Sequence, residues 1–378
     1  MKIAFLTSHI NQSTQWNWFS DELINRGIPH IHIIINSNYP LLADDLKAMG
    51  VKVYYLKHTN FFHFFTNFFQ VCYILLKNKI TLVHTELPYG NLVGQISAWV
   101  CGIKLRVSTC GNTTWAYDFN NKKQLLIDKI TYRLSKKIIA LTEESKEFLI
   151  KNYHIPPEKL TIIHHSLRSG DYIFTDESRF IKLREELNLE PGTFIIGMVA
   201  RFEFWKGHIF AIDAFRKLLM EYPDARLLIF GSKGESFDSV MRHIKNYDLQ
   251  DHIIYKGFVS DNIALFRLFD VHVHVPIKSN SETFGINIME GMISGCAQIL
   301  TLAGISCFTA RDEENCLVVP YSSSDAIYHA LKRLINDADL RKRLGQQAKA
   351  DALKNFQYST KVQKHLDLYE SLRLEQKK

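Results

Sequence analysis

Short runs of apolar residues alternate along the chain with longer segments in which apolar positions recur at helical spacing. In the first half the runs are KIAFLT, HIHIII, VKVYYL, TLVH, LRVST, KKIIAL and LTIIHH, and two of the intervening segments are NWFSDELINRG and YGNLVGQISAWVCG. Runs of this length predict buried strands, and the longer pattern predicts amphipathic helices. Strands that alternate with helices are typical of parallel sheets covered by helices.

The alternation restarts in the second half, after a polar and irregular stretch at residues 167–192 that ends in Pro191-Gly192. The strands predicted there are FIIGMVA, ARLLIF, HIIYKG, VHVHVP, AQILT and CLVVP. A chain of 378 residues is too long for one ordinary core. The pattern therefore predicts two doubly wound, Rossmann-like α/β domains that divide at about residues 165–192.

The segment SETFGINIMEGMISG, residues 281–295, places two carboxylates, Glu282 and Glu290, among apolar residues and glycines. It follows the predicted strand VHVHVP, and its apolar spacing predicts a helix that begins after Gly285. The amides at the start of such a helix form an anion site, and Gly285 allows close approach of a phosphate to the backbone. The two carboxylates could then accept hydrogen bonds from the hydroxyls of a sugar and of a ribose. The alternative is that Glu290 is simply a solvated helix residue.

Two cations form a second candidate group. Arg201 lies at the end of the strand FIIGMVA, and Lys206 precedes a helix that opens at Gly207. Arginine binds phosphate oxygens in a bidentate manner, and lysine acts as a mobile point charge. The turn IFGSKGE adds Gly231 at the end of the next strand. Because such folds bind ligands at the carboxyl ends of their strands, these residues predict a diphosphate site.

Four segments resemble one known family. VARFEFWKGHIFAIDAF, IFGSKG, YKGFVSDNIALFRLFDVHVHVP and SETFGINIMEGMISGCAQI occur in the order and at the spacing seen in retaining glycosyltransferases of the GT-B fold, family 4 in particular. The resemblance covers about residues 195–353, and NFQYSTKVQKHLDLYESL is similar to the family's closing helix. It implies an acceptor-binding domain at 1–170, a donor-binding domain at 171–356 and a helix at 357–378 that crosses back to the first domain.

The resemblance also implies roles for individual residues. Arg201 and Lys206 would bind the donor diphosphate, Glu290 would hold the nucleotide ribose, and Glu282 would contact the donor sugar. The expected catalytic residues are Glu282, Arg201 and Lys206. The expected donor-binding residues are Arg201, Lys206, Gly231, Glu282, Thr283, Phe284, Gly285 and Glu290. We predict transfer with retention from a nucleoside-diphosphate sugar, with UDP as the carrier, and without a metal or other cofactor.

The first domain departs from the family pattern at two places. Relatives carry a glycine pair after the first strand, where this chain has TSHINQSTQW, and a histidine after the strand matching LRVST, where this chain has CGNTTWAYD. We predict acceptor contacts from Asn112 and Trp115, and His84, which ends TLVH, is a candidate substitute for the missing histidine. A structural strand-end histidine and a packed indole are the alternatives.

Residues 56–79, LKHTNFFHFFTNFFQVCYILLKNK, predict a helix with a broad aromatic face and lysines at both ends. It is either an ordinary core helix or a helix that lies in the surface of an anionic membrane. Residues 1–165 contain 18 Lys and Arg against 11 Asp and Glu, whereas the remainder holds 28 of each, so the net charge of +7 lies in the first half. Unless this asymmetry is chance scatter, the positive charge favours the alternative that the helix lies in the surface of an anionic membrane. We predict peripheral binding and a lipid-linked or envelope-glycan acceptor.

The remaining features limit the function classes. The absence of a long uncharged run and of a signal-peptide core predicts a cytoplasmic protein. The six cysteines form no C-x-x-C pair, and Asp337 and Asp339 are expected to flank a surface helix, so no metal site is expected. Nucleic-acid binding fits poorly because the basic residues follow no recognisable motif. Two other classes stay open: a GT-B nucleotide-sugar epimerase and a non-catalytic protein that binds a sugar nucleotide or glycan.

Overall fold

The computed structural model describes residues 1–60, 62–111, 121–172, 177–257, 259 and 261–376. The chain divides into two compact units. The first is formed by residues 1–165 and 359–378, and the second by residues 166–358. These divisions lie a few residues from the domain boundaries expected at 170 and 356.

The first unit contains a seven-stranded sheet in the order β3-β2-β1-β4-β5-β6-β7. Its strands are β1 Ile3–Ser8, β2 His30–Asn36, β3 Lys52–Lys57, β4 Leu82–Glu86, β5 Leu105–Cys110, β6 Lys137–Ala140 and β7 Leu160–Ile162. All neighbouring pairs are parallel. Every residue of β1 is buried, which explains why this central strand has apolar residues at four consecutive positions, 3–6, instead of an alternating pattern. The order reverses between β1 and β4, and open sheets bind ligands at this kind of switch point.

Helices connect these strands. In the described part of residues 1–165 they are α1 Thr14–Asn25, α2 Leu41–Ala48, α3 Phe62–Lys77, α4 Pro88–Val100, α5 Lys122–Leu134 and α6 Glu143–Tyr153. Ser13 and Thr142 provide side-chain caps for α1 and α6, because each hydroxyl accepts a hydrogen bond from a first-turn amide. The side chains therefore satisfy donors that a helix start leaves without partners.

The second unit contains a six-stranded sheet in the order β10-β9-β8-β11-β12-β13. Its strands are β8 Ile195–Val199, β9 Arg226–Phe230, β10 Ile253–Lys256, β11 Val271–His274, β12 Ala297–Leu300 and β13 Leu317–Val318. The helices described here are α7 Glu177–Glu186, α8 His208–Leu219, α9 Phe237–Asn246, α10 Asn262–Leu268, α11 Ile286–Ser294, α12 Ser306–Thr309, α13 Ser324–Asn336 and α14 Ala338–Asn355. The last helix, α15, spans Tyr358–Glu375, and from residue 359 it belongs to the first unit.

Each sheet is parallel and covered by helices, which confirms the predicted two-domain α/β architecture. In the second unit, Phe215 of α8, Val273 of β11 and Leu331 of α13 belong to one buried apolar cluster. Within the described ranges, no helix is both long enough and apolar enough to cross a membrane.

Candidate active site

The segments that follow the central strands of the second sheet lie close together at its carboxyl edge. A Cβ atom at Gly207, after β8, would lie 2.0 Å from the carbonyl oxygen of Val275, after β11. A Cβ atom at Gly231, after β9, would lie 2.1 Å from the carbonyl oxygen of Ala200. Both glycines also have positive φ angles, 79° and 151°. These positions require glycine because a side chain would push the strand-end loops apart.

Glu282 is paired with a lysine from the segment after β8 and with the histidine that ends β11, the strand that precedes Glu282 itself. Its Oε2 forms an ion pair with the Nζ of Lys206 and lies 3.2 Å from the Nε2 of His274. Burial alone would raise the pKa of Glu282, but Lys206 and His274 outweigh it and hold the pKa well below the ordinary value. Glu282 is therefore ionised at neutral pH.

His274 is oriented by a buried amide. The Nδ2 of Asn287 donates hydrogen bonds to the carbonyl oxygen of Val199 at 2.6 Å and to the Nδ1 of His274 at 2.8 Å. Because an amide nitrogen only donates, Nδ1 accepts, and the ring hydrogen is left on the Nε2 that faces Glu282. Burial lowers the pKa of His274, so this ring is neutral at neutral pH. The predictions from sequence missed both residues, and the alternating histidines of VHVHVP were the only hint.

A short turn joins Glu282 to helix α11. Thr283 and Phe284 follow Glu282, and the carbonyl oxygen of Phe284 accepts a hydrogen bond from the backbone N–H of Ile305 at 2.7 Å. Gly285 caps the helix with a φ of 82°, so the turn needs a left-handed residue at this position. The first turn of α11 therefore begins a few residues after Glu282. That its amides bind an anion stays a prediction.

Glu290 is buried in α11, with 7% of its surface exposed. Its Oε1 accepts a hydrogen bond from the Nδ2 of Asn262 at 2.8 Å and one from the hydroxyl of Tyr172 at 3.4 Å. Burial raises the pKa of Glu290 to about 7, and the two hydrogen bonds only partly oppose it. The solvated alternative for Glu290 is therefore wrong. Asn262 lies within the segment YKGFVSDNIALFRLFDVHVHVP and Tyr172 within the irregular stretch 167–192, and neither was predicted as a site residue.

Arg201 remains accessible at the same edge. Its Nε forms a 2.8 Å ion pair with the Oε1 of Glu203, and 59% of the Arg201 side chain is exposed, against 8% for Glu203. A Cβ atom at Gly234 would lie 2.9 Å from that carboxylate oxygen, so the loop after β9 packs closely against Glu203. Glu203 therefore holds the Nε side of the Arg201 guanidinium in place, and an anion can reach the exposed remainder of this group.

Of the residues predicted to contact the acceptor, only His84 lies among the described residues, and it is buried. His84 is 2% exposed, its Nδ1 lies 2.6 Å from the hydroxyl of Tyr369, and its Nε2 lies 2.8 Å from the Oγ1 of Thr109. Burial, His365 and Lys361 hold the pKa of His84 well below its ordinary value. This environment favours the structural alternative for His84. The predicted contacts Asn112 and Trp115 lie outside the described residues.

Among the residues for which coordinates are described, no group of three or more His, Cys, Asp or Glu side chains is placed to hold a metal ion. Asp337 caps α14 by accepting a hydrogen bond from the N–H of Leu340 at 2.8 Å, as expected for a residue that flanks a helix. The six cysteines, all among the described residues, form no disulfide with one another. Catalysis without a metal remains a prediction.

The two units each match a family model. The model described as Glycosyltransferase Family 4 matches residues 19–167, and the model described as Glycosyl transferases group 1 matches residues 180–351. The chain belongs to family 4 of the GT-B glycosyltransferases. It is therefore a transferase enzyme, as the resemblance of its motifs predicted.

Individual relatives are distant but extend over most of the chain. An uncharacterized glycosyltransferase of Methanocaldococcus jannaschii is 22% identical over 85% of this chain and 84% of its own length. The UDP-Gal:alpha-D-GlcNAc-diphosphoundecaprenol alpha-1,3-galactosyltransferase of Escherichia coli is 22% identical over 78% of this chain and 76% of its own. The crystal structure of Anabaena HepE with UDP and glucose has a TM-score of 0.84, at 18% identity, over 98% of this chain and 100% of that one.

Proposed function

We propose that this enzyme transfers a sugar, with retention of configuration, from a UDP-sugar to a lipid-linked or envelope-glycan acceptor. The observation that carries the donor part is the Lys206–Glu282–His274 cluster, which lies at a sheet's carboxyl edge and directly before helix α11. UDP is supported by the Anabaena complexes with UDP and with UDP-glucose, and by the UDP-Gal in the name of the E. coli relative.

The cluster is suited to departure of a nucleoside diphosphate. Negative charge develops on the leaving oxygen while the sugar becomes oxocarbenium-like, and fixed positive groups stabilise that charge without reorganising. In the proposal, Arg201, Lys206 and the first amides of α11 supply these groups, each contributing on the order of 3 kcal/mol. Glu282 accepts hydrogen bonds from the donor sugar, and Glu290 accepts them from the ribose hydroxyls.

Retention follows from attack on the face that the leaving group occupies. The acceptor oxygen forms its bond to the anomeric carbon as the bond from that carbon to the phosphate oxygen breaks. The acceptor proton passes to the departing phosphate, so no protein base is needed, in keeping with the absence of the usual histidine from the sequence. Because two cations already face the phosphates in this proposal, it includes no metal.

A panel of nucleotide sugars and acceptors tests this proposal. A UDP-sugar at 100 times its dissociation constant is expected to raise the free energy of unfolding by about 2.7 kcal/mol. Acceptor-dependent release of UDP is expected, and NMR of the product is expected to show the anomeric configuration of the donor. Release of a free epimer would instead identify an epimerase. Ligand binding without any nucleoside diphosphate release across the panel would favour a non-catalytic binding protein.

Helix α3 supports the membrane part of the proposal. Its buried side includes Val71, Ile74 and Leu75, so it packs into the core as an ordinary helix does. Its opposite side exposes large apolar residues at helical spacing, and the end of α4 adds two more. These residues are Phe62, Phe65, Phe69, Tyr73, Leu76, Trp99 and Val100. Such a contiguous aromatic surface is typical of contact with a membrane or a protein.

Sedimentation with lipid vesicles checks this surface. At low salt, we expect the wild-type protein to pellet with vesicles that contain anionic phosphatidylglycerol, and the double variant Phe65→Ser, Phe69→Ser to stay largely in the supernatant. Met220→Ser, which replaces an even more exposed apolar residue of the second unit, is the control and should pellet normally. A wild-type protein that stays in the supernatant under these conditions would rule out the membrane proposal.

A further inference from the structure

A cavity of about 510 Å³ opens at the carboxyl edge of the first sheet. Its walls come from four connections: His9 follows β1, His58 follows β3, Tyr89 lies in the first turn of α4, and Lys123 lies in the first turn of α5. Phe64 of α3 also lines the cavity. This cavity belongs to the first unit alone, and none of the donor-binding residues proposed above lines it.

One wall of the cavity is a fixed aromatic surface. The rings of His58 and Tyr89 stack with centroids 3.8 Å apart and planes inclined by 28°. The Tyr89 hydroxyl accepts a hydrogen bond at 3.2 Å from the Nδ2 of Asn67, which is buried on α3. Aromatic rings held in this way stack on the apolar faces of sugar rings.

The cavity also offers a polar atom that the protein does not satisfy. The Nδ1 of His58 is buried and has no hydrogen-bond partner within the described ranges. Burial lowers the pKa of His58, and the neighbouring His9, His63 and Lys123 lower it further, so the ring is neutral at neutral pH. A neutral imidazole suits a sugar hydroxyl, which can either donate or accept.

A single lysine supplies the positive charge among the described residues that line the cavity. Lys123 lines it, Lys122 is its exposed neighbour in the chain, and none of the described lining residues is acidic. A neutral saccharide does not need a cation, whereas a phosphate group on the same ligand does. The lining therefore favours a ligand that carries both a saccharide and an anion.

The same helix that forms part of the wall also carries the exposed aromatic surface. Phe64 faces the cavity, while Phe65 and Phe69 are exposed on α3. We infer that the cavity binds the acceptor, and that this acceptor is a saccharide joined through a phosphate or diphosphate to a membrane lipid. The sugar stacks on His58 and Tyr89, the phosphate meets Lys123, and the lipid chain follows α3. This inference rests on the proposed transferase function and narrows its acceptor.

Three probes separate the parts of such an acceptor: farnesol, farnesyl diphosphate, and farnesyl diphosphate that carries one N-acetylglucosamine. Calorimetry on the full chain should show affinity rising in that order. Lys123→Ala should lower the affinity for both diphosphates at least tenfold and leave the affinity for farnesol unchanged. Tyr89→Ala should remove only the additional affinity that the N-acetylglucosamine gives over farnesyl diphosphate. Tyr89→Phe keeps the aromatic ring and should retain this additional affinity.

Lys129→Ala, on the same helix but outside the cavity, is the matched control and should bind all three probes normally. Equal affinity for farnesol and farnesyl diphosphate, or a Lys123→Ala variant with unchanged affinity for both diphosphates, would overturn the inference. UDP affinity is measured on the same samples. Failure of the wild-type protein to bind UDP would count against the proposed function, whereas normal UDP binding with failed acceptor probes counts only against the acceptor class.

Discussion

Replacing Glu290 by glutamine is expected to stabilise the protein at pH 8 while weakening its affinity for UDP-sugars. Burial raises the pKa of this carboxyl to about 7 in the folded protein, so the folded state takes up a proton that the unfolded chain releases at lower pH. Stability therefore falls as pH rises from the unfolded value of 4.5 to about 7, and it stays reduced above that. We expect Glu290→Gln to recover roughly 1–3 kcal/mol at pH 8.

Urea unfolding at pH 5 and pH 8 measures this effect. The stabilisation by Glu290→Gln should appear at pH 8 and largely vanish at pH 5, where the wild-type carboxyl is already protonated. Glu190→Gln, at an exposed position of the same unit, should change little at either pH. UDP affinity should fall in the first variant because an amide replaces the carboxylate proposed to hold the ribose. A variant that is less stable than wild type at pH 8 would contradict this account of Glu290.

Replacing Lys206 by alanine is expected to damage both turnover and stability. Turnover should fall by about 10²- to 10³-fold, the loss typical when one stabilising donor is removed from a developing negative charge. The variant also leaves the carboxylate of Glu282 buried without its lysine partner, although His274 stays beside it. Removing one partner of a buried ion pair costs about 3–5 kcal/mol. This substitution should therefore lower the melting temperature.

A double-mutant cycle separates the two effects. Adding Glu282→Gln to Lys206→Ala removes the unpaired charge, so it should restore much of the stability but none of the turnover. Lys217→Ala breaks an exposed ion pair with Asp325 and should change neither property much. If Lys206→Ala kept wild-type turnover with a saturating UDP-sugar, Lys206 could not face the leaving phosphate.

The architecture could be predicted from the sequence because parallel strands are buried on both faces and therefore appear as apolar runs. VHVHVP predicted β11, found at Val271–His274, and the strand-end rule then placed Lys206 near Glu282 although 76 residues separate them. CLVVP shows the limit of this reasoning, because only Leu317–Val318 pair as a strand. How far a strand extends depends on its neighbour in the sheet, which a local pattern does not contain.

The residues that the sequence did not identify are buried polar side chains. His272 and His274 alternate in the same strand, but His272 lies 3.0 Å from the amide of Gln298, whereas His274 faces Glu282. Nothing in the alternation distinguishes these two roles, because the partner comes from a distant segment. The same holds for His84, whose partners Thr109 and Tyr369 lie far away in the chain. For each of these histidines, the role depends on a side-chain partner from another segment of the chain.

The account depends most on the claim that Arg201 and Lys206 bind the donor's diphosphate. Isothermal titration of UDP into the wild-type protein and into the double variant Arg201→Ala, Lys206→Ala tests it directly, with circular dichroism to verify that the variant is folded. We predict measurable binding to the wild type and a loss of at least about 100-fold, or roughly 2.7 kcal/mol, in the folded variant. A folded double variant that binds UDP with wild-type affinity would contradict the claim.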